Sequence, residues 1–279
     1  IRIKMPEQVP PAVSKSFSAL IPGTVIIMLW LIIYIILDKL PFGNIHEVIV
    51  NTLGVPLSIL GGSLIGTIIL VGLNSMFWFV GIHGANVVNA VMQPILLKNI
   101  DENRIAYQAD PNGELPHIIT QPFIDNFVFM GGGGSTIGLV IVIAIIALKH
   151  KASKITKMMA PLTLTPGIFN INEPTLFGIP VVLNVRLIVP FILAPMINAT
   201  ITYFAMATGL VHLTNGTAMP WTMPPIISGF LATGHISGSI VQIVCIIIDI
   251  VIYYPFYRAL ERYNLYMETQ EKSSSNNNQ

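Results

Sequence analysis

The sequence predicts an all-α polytopic membrane protein, with about five transmembrane helices, two re-entrant hairpins and an N-terminal amphipathic helix. Three observations predict it. Of the 279 residues 53% are hydrophobic and only 10% are charged, and the mean hydropathy is +0.73; soluble domains carry roughly 25% charged residues. Three stretches, 16–37, 48–97 and 187–248, contain no Asp, Glu, Lys or Arg. Two apolar regions are interrupted by glycine, proline and amides where a continuous span would have none. The net charge of +1 offers no electrostatic footprint for nucleic acid. Cys245 is the single cysteine, so no intrachain disulfide and no cysteine metal pair can form. No cofactor motif is present.

The elements follow in order. Val9, Ala12, Val13, Phe17 and Leu20 recur at helical spacing, with Lys15 and serines between them, which predicts an amphipathic surface helix over residues 1–20. Ser16 to Leu37 is long enough to cross the hydrocarbon core of about 30 Å, and Asp38-Lys39-Leu40-Pro41-Phe42-Gly43 ends it. A second span is expected near Pro56 to Phe79. Gly81 to Leu97 is short and amide-rich and reads as a re-entrant hairpin, allowed where protein or a water cavity satisfies its backbone. Lys98 to Gln121 is polar and reads as an extramembrane loop, with Asp110-Pro111-Asn112-Gly113 as a turn signal.

Asn126 to Leu148 is the third expected span. It opens on four glycines, Gly131 to Gly134, read as close helix packing through small residues; no Gly-Lys-Ser/Thr follows that would make a phosphate cradle. Lys149, Lys151, Lys154 and Lys157 form a basic loop, cytoplasmic by the positive-inside rule. Ala160 to Val185, broken by Pro161, Pro166, Pro174 and Pro180, reads as the second re-entrant hairpin. A fourth span is expected near Leu187 to Leu210 and a fifth near Ile236 to Tyr254, followed by Arg258 and Arg262. Residues 267–279 are polar and read as a disordered tail. The chain starts Ile1-Arg2-Ile3-Lys4-Met5, which resembles neither a start nor a signal peptide, so a preceding part is expected.

Paired interrupted segments at membrane depth point to a transport site. In the second hairpin, Asn170 and Asn172 flank Glu173, which precedes Pro174. A carboxylate in a membrane costs at least a few kcal/mol on insertion scales, so it carries a task. Proline suits the first turn of a helix, so a short helix is expected to start there with Asn172 and Glu173 at its mouth. The bland alternative pairs Glu173 with Arg186. In the first hairpin, His83 lies between Gly81 and Gly84 with Asn86 beyond. A histidine held by backbone is its bland alternative, and it has no partners at metal-ligand spacing. Trp78 and Trp221 sit at the breaks, either as interface anchors or as stacking surfaces for the C–H faces of a sugar. Asp125 and Asp249 lie near span ends, where a carboxylate can reach water, and take no role. An acid, a histidine, amides and two tryptophans describe a site for an uncharged, hydroxyl-rich ligand.

Met5-Pro6-Glu7-Gln8-Val9-Pro10-Pro11-Ala12-Val13, Gly81-Ile82-His83-Gly84 and Asn172-Glu173-Pro174-Thr175-Leu176-Phe177-Gly178-Ile179-Pro180 carry a resemblance. The chain resembles the sugar permease, enzyme IIC, of the bacterial phosphoenolpyruvate-dependent phosphotransferase system, of the lactose, cellobiose and diacetylchitobiose type. It resembles the family's C-terminal, substrate-binding part, which places that domain at residues 21–266. The resemblance implies a multi-pass protein of the bacterial cell membrane, surrounded by lipid and homodimeric when full-length. It implies that His83 and Glu173 bind the sugar, with Trp78 and Trp221 flanking a disaccharide; Asn86 and Asn172 complete the expected site on the reading of the residues themselves. It also implies a transporter component rather than an enzyme. A separate phosphorylated enzyme IIB supplies the phosphoryl group, and Glu173 or His83 is a candidate acceptor for the hydroxyl proton. The polar tail, where lactose-type relatives carry a fused IIB domain, favours cellobiose or chitobiose. A proton-coupled sugar transporter using Glu173 and His83 is the alternative. A glycosidase would need a second carboxylate opposite Glu173.

Overall fold

The computed structural model describes residues 11–39 and 62–276, and these divide into two units, Ile1–Pro56 and Leu57–Gln279. In the first unit one helix, α1, runs from Pro11 to Asp38. Eight consecutive side chains from Val25 to Ile32 are at least half exposed, so the helix is apolar on every face. That is the signature of a lipid-solvated span, and Ser18–Ile36 is long enough to be one. The sequence separates a surface helix from this span; in the structure the helix runs unbroken from Pro11, and Pro22 is accommodated inside it. Residues 1–10, with most of the Met-Pro-Glu-Gln motif, lie outside the described residues.

The second unit is all helical among the described residues. The second span is expected near Pro56 to Phe79; residues 56–61 lie outside the described residues, and the rest contains helix α2, Leu64–Phe79, capped by the Ser63 hydroxyl, which accepts from the Gly66 N–H at 3.1 Å. After a tight turn, α3 runs from Gly84 to Ala109. Two glycines make the turn possible. Gly81 has φ +84°, and a Cβ on Gly84 would lie 2.9 Å from the Asn74 carbonyl carbon. Lys98 to Ala109, expected as loop, therefore continues a helix. Its polar residues are satisfied on that helix rather than by solvent alone. The buried Asn99 donates to Ile119 O (2.8 Å), and Asn103 donates to His117 O (2.7 Å) and Thr214 O (2.9 Å). Lys98 and Arg104 pair with Glu102 and Asp101 at helical spacing.

The third expected span is broken. Phe123–Val128 forms a wide turn closed by Phe129 N–H to Ile124 O, and regular helix resumes only at α4, Ile137–Ala147. Between them Gly131, Gly132, Gly134 and Ser135 all have positive φ. The glycines are thus turn residues in the left-handed region, which side chains with a Cβ adopt at a cost, and not a helix-packing stripe. The packing glycine is Gly138, where a Cβ would lie 2.6 Å from the Asp249 carbonyl carbon.

α5 (Lys154–Ile168) and α6 (Glu173–Gly178) form a helical hairpin over the segment expected to re-enter the membrane, with α5 already starting in the expected lysine loop, and α7 is Ile188–Ala207. The proline-rich stretch leads into a short helix, α8, Ile227–Thr233, and α9 runs from Ile236 to Asn276. The buried Gln242 of α9 fixes α8 and the wide turn together. Its Oε1 accepts from Ile226 and Gly229 N–H, and its Nε2 donates to Asn126 O and Ser228 Oγ. Residues 267–276, expected to be disordered, extend α9, and Glu268 accepts from the Lys154 N–H at 2.6 Å. Two apolar clusters form the core. One surrounds Leu96, Phe123, Phe127 and Cys245. The other surrounds Leu139, Ile143, Leu176, Phe191 and Tyr253. Spans Ile188–Ala207 and Ile236–Gln270 are long and apolar enough to cross a membrane, and Leu64–Phe79 and Ile137–Ala147 are shorter apolar helices.

Candidate functional site

The turn after α2 and the tip of the α5–α6 hairpin approach one another across the glycine segment. Leu183 N–H donates to Phe79 O at 2.9 Å, which ties the chain beyond α6 to the end of α2. Between them lies a cavity of about 410 Å3, within the usual size range of small-molecule sites.

Trp78, on the last turn of α2, is 6% exposed. Its ring lies 4.2 Å from that of His83, tilted by 49°. His83 caps α3, and its Nδ1 accepts from the Asn86 N–H at 3.4 Å. That bond leaves Nε2 for a ligand. Asn86 follows on the first exposed turn of α3.

On the other side, Asn172 is the N-cap of α6 and Glu173 its first residue, with Pro174 in the first turn as expected. Asn172 is buried and its Nδ2 donates to Gly133 O at 2.8 Å, so half of its amide positions the glycine turn. A Cβ on Gly132 would lie 2.6 Å from Asn172 Cγ, and one on Gly133 would lie 2.8 Å from Trp78 Nε1. The glycines are what let the turn, the tryptophan and the asparagine meet. Trp221 is 57% exposed, with its backbone carbonyl held by Asn170 Nδ2 at 2.7 Å.

All six residues singled out in the sequence, Trp78, His83, Asn86, Asn172, Glu173 and Trp221, line this one cavity. The pairing of Glu173 with Arg186 does not form. Arg186 instead lies over the Tyr263 ring, 4.3 Å from its centroid, and no ion pair of Glu173 occurs among the described residues. Glu173 and His83 share the cavity without a hydrogen bond between them.

The cavity also holds residues that the sequence reading left without a role. Asp125 lines it, with both carboxylate oxygens accepting from Gln121 Nε2 at 2.9 Å, and Asn74, Asn89 and Gln93 complete a polar wall. Asp125 carries the same signal as Glu173, a carboxylate beside an apolar run. Its place near an expected span end hid it, because that span is broken just there. Asp249, also set aside, is fully buried away from the cavity. It accepts from Ser135 Oγ (2.6 Å) and Asn198 Nδ2 (3.0 Å). Among the described residues no three metal-ligating side chains converge. The site can accept hydroxyl hydrogens, donate from imidazole and amides, and stack an apolar face on indole.

Comparison with known proteins gives a consistent pattern. The family model described as "Phosphotransferase system, EIIC" matches residues 1–195. The lichenan permease IIC component of Bacillus subtilis (strain 168) is 48% identical over 263 residues, covering 94% of this chain and 57% of that protein. The cellobiose-specific EIIC component of Geobacillus stearothermophilus is 46% identical over 258 residues, covering 92% of this chain and 56% of that protein. Among solved structures, the transporter ChbC, the IIC component from the N,N'-diacetylchitobiose-specific phosphotransferase system, aligns with a TM-score of 0.74. It is 44% identical, over 96% of this chain and 61% of that one. The chain spans about three fifths of the length of these relatives.

Proposed function

The chain belongs to the phosphotransferase system EIIC family, and from that premise we propose that it is the sugar-binding part of a multi-pass permease in the bacterial cell membrane. It binds a β-linked disaccharide and releases it on the cytoplasmic side for phosphorylation by a separate phosphorylated enzyme IIB. One observation carries the reading: Trp78, His83, Asn86, Asn172, Glu173 and Trp221 come from separate segments to line a single cavity. Lichenan, cellobiose and N,N'-diacetylchitobiose, named for the relatives, are all β-linked, which supports that substrate class.

In this reading the indoles of Trp78 and Trp221 take the C–H faces of the sugar rings. The Glu173 carboxylate accepts hydroxyl hydrogens, and charge-assisted bonds of that kind are stronger than neutral ones. His83 Nε2 and the Asn86 amide complete the hydroxyl contacts, while Asn172 holds the glycine turn. Residues 21–266 belong to the transport domain, which carries the bound sugar relative to the dimer-forming remainder of a full-length protein. At the cytoplasmic side the sugar hydroxyl attacks the phosphocysteine of enzyme IIB. The P–S bond breaks as the O–P bond forms, and the hydroxyl proton passes to Glu173 or His83. Cys245 takes no part in this, because it is fully buried.

The test is uptake into vesicles with and without phosphorylated enzyme IIB. Sugar phosphate should accumulate inside only with it. Accumulation of free sugar driven by a pH gradient would overturn group translocation in favour of proton coupling. At the site, Glu173→Gln should weaken disaccharide binding by about ten- to a hundredfold, the equivalent of one charged hydrogen bond. Calorimetry showing unchanged affinity would remove Glu173 from the site.

A further inference from the structure

The α4–α5 corner pairs two features that the cavity leaves unused. The first is an apolar groove of about 400 Å3 walled by Ala144, Ala147, Leu148, Ala160, Pro161 and Leu164, with Lys157 on its polar side. Leu148 is 88% exposed, and the neighbouring Met158 and Leu162 are more than half exposed, so among the described residues this apolar surface has no partner. The second is the run of exposed lysines at 149, 151, 154 and 157.

Among the described residues none of the four is within ion-pair distance of a carboxylate. The two acids bonded at this corner accept from backbone and hydroxyl groups rather than from the ammonium groups. Glu261 accepts from the Ser153 N–H and hydroxyl and from Thr156 Oγ1, and Glu268 accepts from the Lys154 N–H. At the start of α5 the Lys154 N–H is taken by Glu268 and the Thr156 N–H by the Ser153 hydroxyl, so an incoming anion meets the ammonium groups first. Lys157 Nζ donates to His150 O at 3.2 Å, and Lys149 lies 5.8 Å from the centre of the Tyr254 ring. Lys157 lines the groove, and Lys149 directly follows Leu148, which also lines it.

We propose that this corner binds one anionic phospholipid of the phosphatidylglycerol kind, its phosphodiester on the lysines and an acyl chain along the groove. A basic cluster beside apolar helices is complementary to such a lipid in both halves. A soluble anionic partner would use the lysines but has no need of the groove. The proposal requires that the chain sit in a bilayer and is independent of which sugar it binds.

Native mass spectrometry of the full-length protein, released from nanodiscs with equal phosphatidylglycerol and phosphatidylcholine, tests it. One phosphatidylglycerol should be retained at least tenfold over phosphatidylcholine. The exposed double variant Lys151→Gln/Lys157→Gln should lower that retention by about 25-fold, at about fivefold for each cation removed. Ala147→Phe, which fills the groove, should lower it with the lysines intact. Glycerol phosphate should not compete. Equal retention of the two lipids overturns the proposal, as does retention unchanged in the lysine variant or in a folded Ala147→Phe. Displacement by glycerol phosphate would make the site a soluble-anion site. Loss of enzyme IIB-dependent phosphorylation in the lysine variant, with lipid retention unchanged, would make it a protein-docking surface. Should Ala147→Phe fail to fold, the lysine variant alone decides.

Discussion

Asn170 joins three walls of the cavity through one side chain. Its backbone has φ +62°, a left-handed conformation that asparagine tolerates better than most residues. From there Oδ1 accepts from the Gly131 N–H at 2.7 Å, and Nδ2 donates to the carbonyls of Trp221 (2.7 Å) and Met223 (3.0 Å). The glycine turn, the α5–α6 tip and the Trp221 loop are therefore registered by a residue that is itself 5% exposed. Asn170→Ala removes three bonds and sets a Cβ-bearing residue of poor left-handed tolerance in their place. At about 1 kcal/mol for each bond, it should cost about 3 kcal/mol of stability. It should also loosen sugar binding, since Trp221 loses its anchor. Asn170→Gly relieves the backbone but not the lost bonds, so affinity should fall there too. Denaturant unfolding of Asn170→Ala within about 0.5 kcal/mol of the parent would show that the tie does not hold the site. The amides flanking Glu173 were legible as a group. Their division of labour was not, because whether an amide meets a ligand or a backbone carbonyl depends on a turn far away in sequence.

At the scale of elements, the hairpin bearing Glu173 is anchored at its far end by Glu261 of α9. That buried carboxylate accepts from Ser153 N–H (2.6 Å), Ser153 Oγ (2.7 Å) and Thr156 Oγ1 (2.5 Å), with the Tyr257 hydroxyl 2.9 Å from Thr156 Oγ1. Glu261→Ala leaves those donors buried and unmatched. The expected loss is about 4 kcal/mol, with faster amide exchange in the first turn of α5; Glu261→Gln should recover part of it. Unaltered exchange at Lys154–Lys157 in the alanine variant would disprove the anchor. At the opposite kind of site, the end of α3 is tied to the following loop by Glu102 and His117. The hydrogen bond from the His117 ring, and then the nearby Lys98, hold the Glu102 carboxyl below its ordinary value of 4.5, against the opposing effect of burial. The folded state thus prefers the ionised form. Its contribution is present above about pH 4.5 and is lost as pH falls through the depressed folded value. Glu102 is substantially exposed, so solvent screening keeps the effect small. The fall in melting temperature from pH 6 to pH 3.5 should be slightly smaller in Glu102→Gln than in the parent; an equal fall would show that the contact is not formed in solution.

Across the whole molecule, apolar runs without a break are legible as helices within a few residues: 188–207, the start of α9 at Ile236, and the apolar body of α1. Helix α3 and the tail of α9 escaped because their polar residues find partners that are distant in sequence, such as Thr214 for Asn103 and Lys154 for Glu268. Composition alone assigns such residues to loops. The third span escaped for the converse reason: its apolar composition hides the positive-φ glycine turn that carries Asn172 and Trp78 against it. The cavity is thus closed by parts that are each anchored separately: α2 and α3 by the Gly81–Gly84 turn, the hairpin by Glu261, and the Trp221 loop by Asn170. A ligand contacting all of them binds the folded arrangement and not the unfolded chain, so it should stabilise the whole unit. At a disaccharide concentration of a hundred times Kd, mass action supplies about 2.7 kcal/mol. For a unit of this size that is a rise in melting temperature of roughly 5–10 °C. The rise should be seen with a β-linked disaccharide and be absent with an α-linked one at equal concentration. Glu173→Gln should require a correspondingly higher sugar concentration for the same shift. A similar rise with both sugars, or with both the parent and Glu173→Gln at low concentration, would mean that the stabilisation comes from outside the cavity.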